Sequence, residues 1–211
     1  MLLAIDTSAG TSVAVVDGAS GLSVERSVAD SRRHAEVVGT LIQECLAQAH
    51  IAASDLSAVA IGMGPGPFTG LRVGIAAAMA FSLGARVDLL RVVSHDAIAF
   101  DYYRQGGTGP LFVTTDARRH ERYWSAYRGA GQFSLPERAA GPGLDRPDAL
   151  EGAVTDLASY TRVDSDWVSA ASVGALAETL ATRDGAFAAA EPLYLRSPDV
   201  TLASAPKRVT G

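Results

Sequence analysis

Residues 58–74 read Ala58-Val-Ala-Ile-Gly62-Met-Gly64-Pro-Gly66-Pro-Phe-Thr-Gly70-Leu-Arg-Val-Gly74. The first four residues are short and apolar, which is typical of a buried strand. Four glycines and two prolines follow up to Gly70, so the backbone turns sharply there with little side-chain bulk. An alanine-rich apolar run over residues 71–83 then predicts a helix. A strand, a glycine loop and a helix N-terminus in this order are typical of an anion-binding site.

Two common phosphate-binding motifs do not fit this stretch. The Rossmann fingerprint requires a third glycine at the position of Pro67. A P-loop ends in Gly-Lys-Ser/Thr, and the only lysine of the chain is Lys207. The glycines therefore leave two interpretations open, a phosphate loop of another kind or a tight turn that lets the helix and the strand pack closely.

Composition narrows the class of protein. The 211 residues are 48% hydrophobic and 19% charged, with a net charge of -5, which indicates a globular chain and does not by itself indicate a nucleic-acid surface. The single cysteine, Cys45, excludes an intramolecular disulfide and a cysteine metal cluster. We find no signal peptide and no apolar run long enough to span a bilayer, so we expect a soluble, cytoplasmic protein with no membrane partner.

The N-terminal segment predicts an antiparallel meander. Apolar or β-prone runs at residues 2–5, 11–16 and 22–28 are joined by short turns. Asp6 ends the first run, and the hydroxyl residues Thr7 and Ser8 follow it. These three side chains either form a ligand site or only stabilise the turn.

The next segment predicts an amphipathic helix. Apolar residues recur at helical spacing through residues 32–50, and Val38, Ile42 and Cys45 are members of this stripe. We expect Cys45 to be a buried small hydrophobe rather than a nucleophile. We expect His34, at the start of the helix, to be partly exposed.

Strands and helices alternate over the following residues, which predicts an α/β sheet. We expect strands at residues 89–93, 111–115, 122–128 and 193–195, and helices at residues 94–103 and 173–180, the first of them beginning with a capping Ser94-His95-Asp96. Residues 129–147 are rich in glycine and proline and are expected to be irregular, and residues from Ser197 on to form a loose tail. We assign an N-terminal lobe to residues 1–104 and a smaller C-terminal lobe to residues 105–211.

Several motifs together carry a family resemblance. Met1-Leu-Leu-Ala-Ile-Asp6-Thr-Ser8, followed by a hairpin, resembles the first phosphate motif of the actin-like ATPase superfamily. With the glycine-rich stretch, Asp116-Ala-Arg118, Tyr123-Trp124 and Glu191-Pro-Leu-Tyr-Leu-Arg196, the chain resembles the bacterial TsaB (YeaZ) family. The resemblance runs through most of residues 1–128 and returns near Glu191. It implies the actin-like ATPase (ribonuclease H-like) fold, with a complete N-terminal lobe and a reduced C-terminal lobe.

The resemblance also implies a function. TsaB-like proteins are regarded as non-catalytic scaffolds that bind the transferase subunit TsaD in the synthesis of threonylcarbamoyladenosine at position 37 of tRNA. The ATPase TsaE joins that pair, and tRNA is reached through the complex. We expect no stably bound cofactor, with ATP or ADP possible only at the junction with TsaD, and a homodimer as the alternative assembly when TsaD is absent.

The resemblance implies a degenerate nucleotide site formed by Asp6, Thr7, Ser8, Gly64 and Gly66. It also offers a test for catalysis, since the catalytic relative holds its metal with a His-x-x-x-His pair at a helix start. Here His95 matches the first histidine, but Ala99 stands in place of the second. One imidazole and one methyl group cannot chelate an ion, so we expect neither a metal site nor a transferase centre.

We expect the helices at residues 32–50 and 71–83 to lie side by side and to form the interface with TsaD. Small side chains let another helix approach closely, and the residues assigned to this interface are Val38, Ile42, Ala76, Ala77 and Ala80. The plain alternative is that both helices only cover the sheet, with their alanines facing water.

Two other functions stay open at this point. One is an ATP-binding small-molecule kinase or ATPase of the actin-like superfamily. The other is direct tRNA binding through an arginine cluster, because guanidinium groups bind phosphate well; the cluster consists of Arg118, Arg119 and Arg122.

Overall fold

The computed structural model describes residues 1–30 and 32–196. Five strands form the first sheet: β1 (Leu2–Asp6), β2 (Thr11–Asp17), β3 (Leu22–Val28), β4 (Ala58–Gly62) and β5 (Asp88–Val92). Their order is β3-β2-β1-β4-β5, in which β1, β2 and β3 are antiparallel neighbours while β4 and β5 run parallel to β1. The predicted meander and the α/β class are confirmed.

Apolar residues on both faces of this sheet explain why helices cover both sides. Successive side chains of a strand point to opposite faces. Leu3 and Ile5 of β1 pack under α1 (His34–Ala49) and α2 (Phe68–Ala85). Leu2 and Ala4 belong to the cluster formed with α3 (Ser94–Arg104) and α4 (Ala170–Thr182).

A second sheet follows α3. It consists of β6 (Leu111–Asp116), β7 (Arg122–Ala130), β8 (Pro136–Asp145) and β9 (Thr161–Ser165), in the order β8-β7-β6-β9. The helix α3 lies between the two sheets, since Ala97 and Phe100 pack with the first sheet whereas Ala99 and Tyr103 pack with the second. Short 3-10 turns occur at Ala53–Asp55, Gln132–Ser134, Leu150–Gly152 and Leu157–Ser159.

Two expectations for the C-terminal half were wrong, and one strand was not predicted. Most of residues 129–147 is not irregular, because β8 is a ten-residue strand whose glycines and prolines are tolerated at a sheet edge, where it pairs irregularly with β7 alone. The strand β9 was missed because its sequence, Thr-Arg-Val-Asp-Ser, has a single apolar residue. Residues 193–195 are not a strand; Leu193 only donates one backbone hydrogen bond to the Met63 carbonyl, at 2.9 Å. The expected tail from Ser197 on lies outside the described residues.

The helix α4 returns to the first sheet. Gly174 lies against Val16 and Ala4, where a Cβ atom would collide with the Val16 side chain. A division at residue 104 therefore separates the two sheets but assigns α4 to the wrong one. The first sheet and all four helices form one packed unit, with the second sheet attached through α3.

Among the described residues, one helix, α2, is long and apolar enough to cross a membrane by length and composition alone. Arg72 interrupts the apolar residues of this helix, so the expectation that the chain has no uninterrupted apolar run of that length is not contradicted. In the structure one side of α2 packs on the first sheet, through residues such as Ala78.

Candidate functional site

The carboxylate of Asp6 is bonded entirely within the protein. Asp6 ends β1 and is 1% exposed. Its Oδ1 accepts hydrogen bonds from the Ser8 backbone N–H at 2.7 Å and from the Ser8 hydroxyl at 2.6 Å. Its Oδ2 accepts from the Ser94 hydroxyl at 2.6 Å. The turn interpretation of these residues is therefore supported, and Asp6 in addition ties the turn to the start of α3.

Burial raises the pKa of the Asp6 carboxyl, because the charged form loses its water. The hydrogen bonds from Ser8 and Ser94 favour the charged form and oppose this shift without cancelling it. Ser94 was expected to cap α3, but the N-cap position is Val93 and the Ser94 hydroxyl bonds Asp6 instead.

The glycines of the loop permit a close approach between backbone segments. A Cβ atom on Gly62 would overlap Oδ2 of Asp6, and one on Gly66 would lie 2.8 Å from the Ser8 Cα. A Cβ atom on Gly74, in α2, would overlap the Thr7 side chain. Since such distances do not occur between real atoms, only glycine fits at these three positions, and the tight-packing interpretation of the glycine loop explains them.

All five residues of the expected nucleotide site meet in one place, but they are buried against one another. Thr7 and Ser8 are 1% and 4% exposed, and the Thr7 hydroxyl donates to the Gly70 carbonyl at 2.8 Å. The backbone N–H of Gly64 donates to the Ser94 hydroxyl at 3.0 Å. A phosphate could reach Asp6 only if these groups moved apart. Nucleotide binding at Asp6, Thr7, Ser8, Gly64 and Gly66 stays a prediction.

His95 is a core residue with both ring nitrogens occupied. It is fully buried, with Nδ1 2.9 Å from the Ser125 hydroxyl and Nε2 2.9 Å from the Thr115 hydroxyl. Burial, with a smaller contribution from the Arg138 charge, lowers the pKa of His95 to about 3, so the ring is neutral at pH 7. One turn further along, Ala99 is buried as well. Within residues 1–30 and 32–196, no group of three or more His, Cys, Asp or Glu side chains is placed to hold a metal.

Two residues of α1 illustrate what helical spacing can and cannot predict. Cys45 is buried as expected; its thiol donates to the Val13 carbonyl at 3.2 Å, and burial raises its pKa to about 11. His34 was expected to be partly exposed, but it is only 5% exposed, with Nδ1 2.8 Å from the Thr11 hydroxyl. The polar partner for His34 comes from β2, which spacing along α1 cannot indicate.

The residues expected at a partner interface separate into two groups. Val38 and Ile42 are each 7% exposed and belong to the core beneath α1, so their side chains are covered by the sheet and are not available to another chain. Ala76 and Ala80 of α2 are exposed, and Ala77 is partly exposed. The exposed members of this set therefore all lie on α2, where Met79 at 54% and Leu83 at 81% are exposed as well.

The three arginines of the expected cluster have different surroundings. Arg122 donates to the Thr114 hydroxyl at 2.8 Å and pairs with Asp164 at 3.5 Å. Arg118 and Arg119 instead line a cleft. They lie between β6 and β7 in a left-handed backbone run with His120, at φ values of 61°, 54° and 58°. Such values are uncommon outside glycine, so this turn has a fixed and unusual course.

Ser94, Arg32 and Arg196 are site residues that sequence reasoning missed. A signal existed for Ser94, because β1, β4 and β5 are parallel neighbours, and the residues that follow such strands meet at one edge of the sheet. Asp6, Gly62 and Ser94 lie at that edge. Arg196 ends the motif at residues 191–196, but neither this motif nor the sequence around Arg32 indicates that the two arginines reach one cleft from distant segments.

Comparison with known proteins identifies the family. The family of the tRNA N6-adenosine threonylcarbamoyltransferase TsaD matches residues 28–193. An uncharacterized protein of Mycobacterium bovis is 36% identical over 202 residues, which are 94% of this chain and 92% of that protein. The tRNA threonylcarbamoyladenosine biosynthesis protein TsaB of Escherichia coli is 33% identical over 97 residues, which are 46% of this chain and 42% of that protein.

Solved structures agree with this assignment. YeaZ from Pseudomonas aeruginosa superposes with a TM-score of 0.74 at 26% identity, covering 92% of this chain and 99% of that chain. A second Pseudomonas aeruginosa structure, described as similar to peptidase YeaZ, gives a TM-score of 0.75 at 25% identity, with the same coverage. The chain therefore belongs to the bacterial TsaB (YeaZ) family of threonylcarbamoyladenosine biosynthesis proteins and has the actin-like ATPase fold expected from its motifs.

Proposed function

We propose that this chain is a non-catalytic subunit that binds TsaD and supports it in the synthesis of threonylcarbamoyladenosine in tRNA. The observation that carries the proposal is the exposed apolar face of α2. Only 28% of the residues in this apolar helix are buried. A contiguous exposed apolar patch on a protein surface commonly marks a binding surface.

The exposed residues form a continuous stripe. The residues are Ala76, Met79, Ala80 and Leu83. The pair Met79 and Ala80 lies three and four residues after Ala76 and four and three residues before Leu83, which brings all of them to one side of a helix. The alanines keep the middle of the stripe flat, so another helix can approach closely. Leu83 projects from the C-terminal end of the stripe as a large apolar contact.

The chain's own similarity to TsaD favours TsaD as the partner. The match to the TsaD family includes both α1 and α2. A chain that shares this domain is expected to carry an equivalent helix pair, and two equivalent surfaces can pair around a two-fold axis. The same geometry would allow a homodimer when TsaD is absent. We also propose that TsaE joins this pair and that tRNA is reached through the complex. If a nucleotide binds, we expect it at the junction with TsaD.

The hydrogen bonds of Asp6 and His95 support the proposal that the chain is not catalytic. Both oxygens of Asp6 accept hydrogen bonds from the protein and the side chain is 1% exposed, so the Mg²⁺ of a kinase or ATPase could reach Asp6 only if the surrounding groups moved apart. His95 has no second histidine at Ala99. Its ring nitrogens contact the hydroxyls of Ser125 and Thr115, not a carboxylate, so it does not form the acid-histidine-serine set that a serine peptidase requires.

A charged residue on the stripe tests the proposal. Ala80→Glu should leave the fold intact, since changes at exposed positions alter the free energy of unfolding by no more than about 0.5 kcal/mol. It should abolish co-elution with TsaD, because the carboxylate would be buried without a partner. Circular dichroism checks the fold, and size-exclusion chromatography of the mixture checks the complex.

Ala181→Glu is the matched control. Ala181 is also an exposed helical alanine, but it lies on α4, on the other face of the sheet. This variant should still bind TsaD. If folded Ala80→Glu binds TsaD as tightly as Ala181→Glu does, α2 is not the interface and the proposal is wrong.

A further inference from the structure

One charged residue lies in line with the apolar stripe of α2. Arg72 comes four residues before Ala76, which places it on the same side of the helix. Its side chain is exposed, and it is the single charged residue of α2. Within residues 1–30 and 32–196, the contacts of its guanidinium group are two aromatic rings and no carboxylate. The stripe therefore carries one positive charge that no acid of the described residues balances.

The two aromatic rings hold the Arg72 guanidinium group in place. The group lies over the Phe68 ring, 3.9 Å from its centroid, and 6.0 Å from the centroid of the Tyr194 ring. The two rings contact each other, with their centroids 4.7 Å apart. Next to Tyr194, the Leu193 N–H donates to the Met63 carbonyl at 2.9 Å, which fixes this segment against the glycine loop. A guanidinium group stacked on a ring keeps its N–H groups available at its edge.

Covering the stripe would change what Arg72 requires. In the uncovered chain, water solvates the guanidinium group. A helix packed on the stripe would remove that water, and a buried cation without an acceptor is costly. A carboxylate suits this position best, because it accepts two parallel hydrogen bonds from the planar guanidinium group. The surface that covers the stripe should therefore be apolar with one acidic side chain.

A second copy of this chain has no such carboxylate on α2. In a symmetric pair, the same surface of both copies is in contact. The residues of α2 that could then face Arg72 are uncharged or are the Arg72 of the other copy. Self-pairing through α2 would bury two guanidinium groups without a carboxylate, so it should be weaker than pairing with a surface that supplies one.

We propose that Arg72 selects the partner of the α2 stripe by binding an acidic side chain of TsaD, and that it disfavours self-association of this chain. The inference rests on the proposed function, because it takes TsaD as the protein that covers the stripe. It adds the chemistry of the partner surface, which is an apolar face with a carboxylate opposite the start of α2. Arg72 is the charged contact at one end of the stripe, and Leu83 is the large apolar contact at the other.

Titration calorimetry of TsaD with Arg72→Met and Arg72→Lys tests the inference. Methionine retains an apolar side chain beside Phe68 but removes the charge and the donors. Arg72→Met should bind TsaD about tenfold or more weakly than the wild type, as when one partner of a buried charged pair is lost. Its affinity should also depend less on salt. Arg72→Lys keeps the charge without the planar group and should bind more tightly than Arg72→Met.

Arg128→Met is the matched control. Arg128 belongs to β7 of the second sheet, its side chain is 68% exposed, and its pair with Glu137 is long, at 3.8 Å. This variant should bind TsaD like the wild type. Equal loss of affinity in Arg128→Met and Arg72→Met would indicate a general charge effect and contradict the proposal. Circular dichroism confirms that each variant is folded.

Self-association is measured on the same proteins by sedimentation in the absence of TsaD. Arg72→Met should self-associate at least as strongly as the wild type, because it has no charge to bury on the stripe. Weaker self-association of Arg72→Met would mean that a second copy supplies the carboxylate from outside α2, for example from the exposed Glu44 of α1. The proposed selection against self-pairing would then be wrong.

Two further results would overturn the proposal. The first is unchanged TsaD affinity of Arg72→Met while Ala80→Glu abolishes binding, in which case α2 is the interface but Arg72 has no part in it. The second is Arg72→Lys that binds no more tightly than Arg72→Met, which would mean that TsaD does not recognise the charge. If Ala80→Glu itself still binds TsaD, the proposed function fails, and this inference fails with it.

Discussion

His95 lies where α3 meets the second sheet, and its two ring nitrogens are held by Ser125 and Thr115. These contacts fix the ring as a neutral structural group. Burial disfavours the protonated ring and lowers the pKa of His95 to about 3, so the ring stays neutral at any pH near neutrality. The unfolded chain, in contrast, protonates this side chain near the ordinary value of 6.5.

We therefore expect His95 to make folding sensitive to acid. Between pH 6.5 and 3 the unfolded chain binds one proton more than the folded chain at this residue, so the free energy of unfolding falls as the pH is lowered. The slope from one such group is at most about 1.4 kcal/mol per pH unit. Asp6 has a raised pKa and acts in the opposite direction, because its folded state binds the proton more tightly.

The test compares His95→Gln with the wild type in urea unfolding at several pH values. The variant should be less stable at pH 7, where it loses packing and hydrogen bonds, but its stability should decline less steeply toward pH 4. Asp6 is present in both proteins, so the difference between the curves isolates His95. Parallel curves for His95→Gln and the wild type would contradict the assignment of the acid sensitivity to His95.

The helix α4 depends on a carboxylate from a distant strand. Glu25 of β3 accepts hydrogen bonds from the Ala170 N–H at 2.7 Å and from the Ser169 hydroxyl at 3.0 Å. A negative charge at a helix N-terminus satisfies free N–H groups and interacts favourably with the helix dipole. The Ser12 hydroxyl, 2.7 Å from the same N–H, shares this role.

Glu25→Ala should lower the free energy of unfolding by about 1–2 kcal/mol, as the loss of a helix cap does, with Ser12 limiting the loss. Glu44→Ala, which removes an exposed carboxylate of α1, should change it by less than about 0.5 kcal/mol. Urea unfolding followed by circular dichroism measures both. Equal stability of the two variants would mean that Glu25 does not hold α4 in place.

The contact between Glu25 and the start of α4 shows why some elements could be predicted from the sequence and others could not. The meander, α1, α2 and the glycine loop follow from spacing and turn chemistry within short stretches. The strand β8 and the position of α4 depend on pairing with β7 and with β3, which local sequence does not report. Gly174, for example, is required because α4 approaches Val16, far away in the chain.

The candidate site likewise has features that local sequence predicted and features that depend on distant contacts. The motifs brought Asp6, Ser8 and Gly66 to one place, as expected, because strand ends and glycine turns are local features. Whether that place is open was decided by Ser94, whose hydroxyl completes the bonding of Asp6. Val38 and Ile42 were assigned to a surface because a helical stripe does not indicate which side the sheet covers.

The two sheets of the molecule are joined by a charged contact as well as by the apolar faces of α3. Asp96 of α3 accepts two hydrogen bonds from Arg138 of β8, at 3.1 and 2.8 Å, and one from the Tyr127 hydroxyl of β7 at 2.8 Å. The two charged side chains are 20% and 29% exposed. Burial raises the pKa of Asp96, and Arg138 acts against this shift by stabilising the charged form.

Removing only the cation should therefore be costly, because it leaves a buried carboxylate without its partner. Arg138→Gln should lower the free energy of unfolding at pH 7 by about 3 kcal/mol, the low end of the range for broken buried pairs, since this pair is partly exposed. The pKa of Asp96 in the folded variant should rise further. A raised folded pKa means that the folded state takes up the proton first, so the deficit relative to the wild type should shrink between pH 7 and pH 5.

The double variant Asp96→Asn with Arg138→Gln is the control that separates lost charge balance from lost packing. It has no buried carboxylate to leave unpaired, and its Asn side chain can still accept from Tyr127. It should be more stable than Arg138→Gln alone, and its deficit relative to the wild type should vary less with pH between 7 and 5. If the double variant is the less stable of the two, or if the deficit of Arg138→Gln is the same at pH 5 and pH 7, then Arg138 joins the sheets through packing and not by balancing the Asp96 charge.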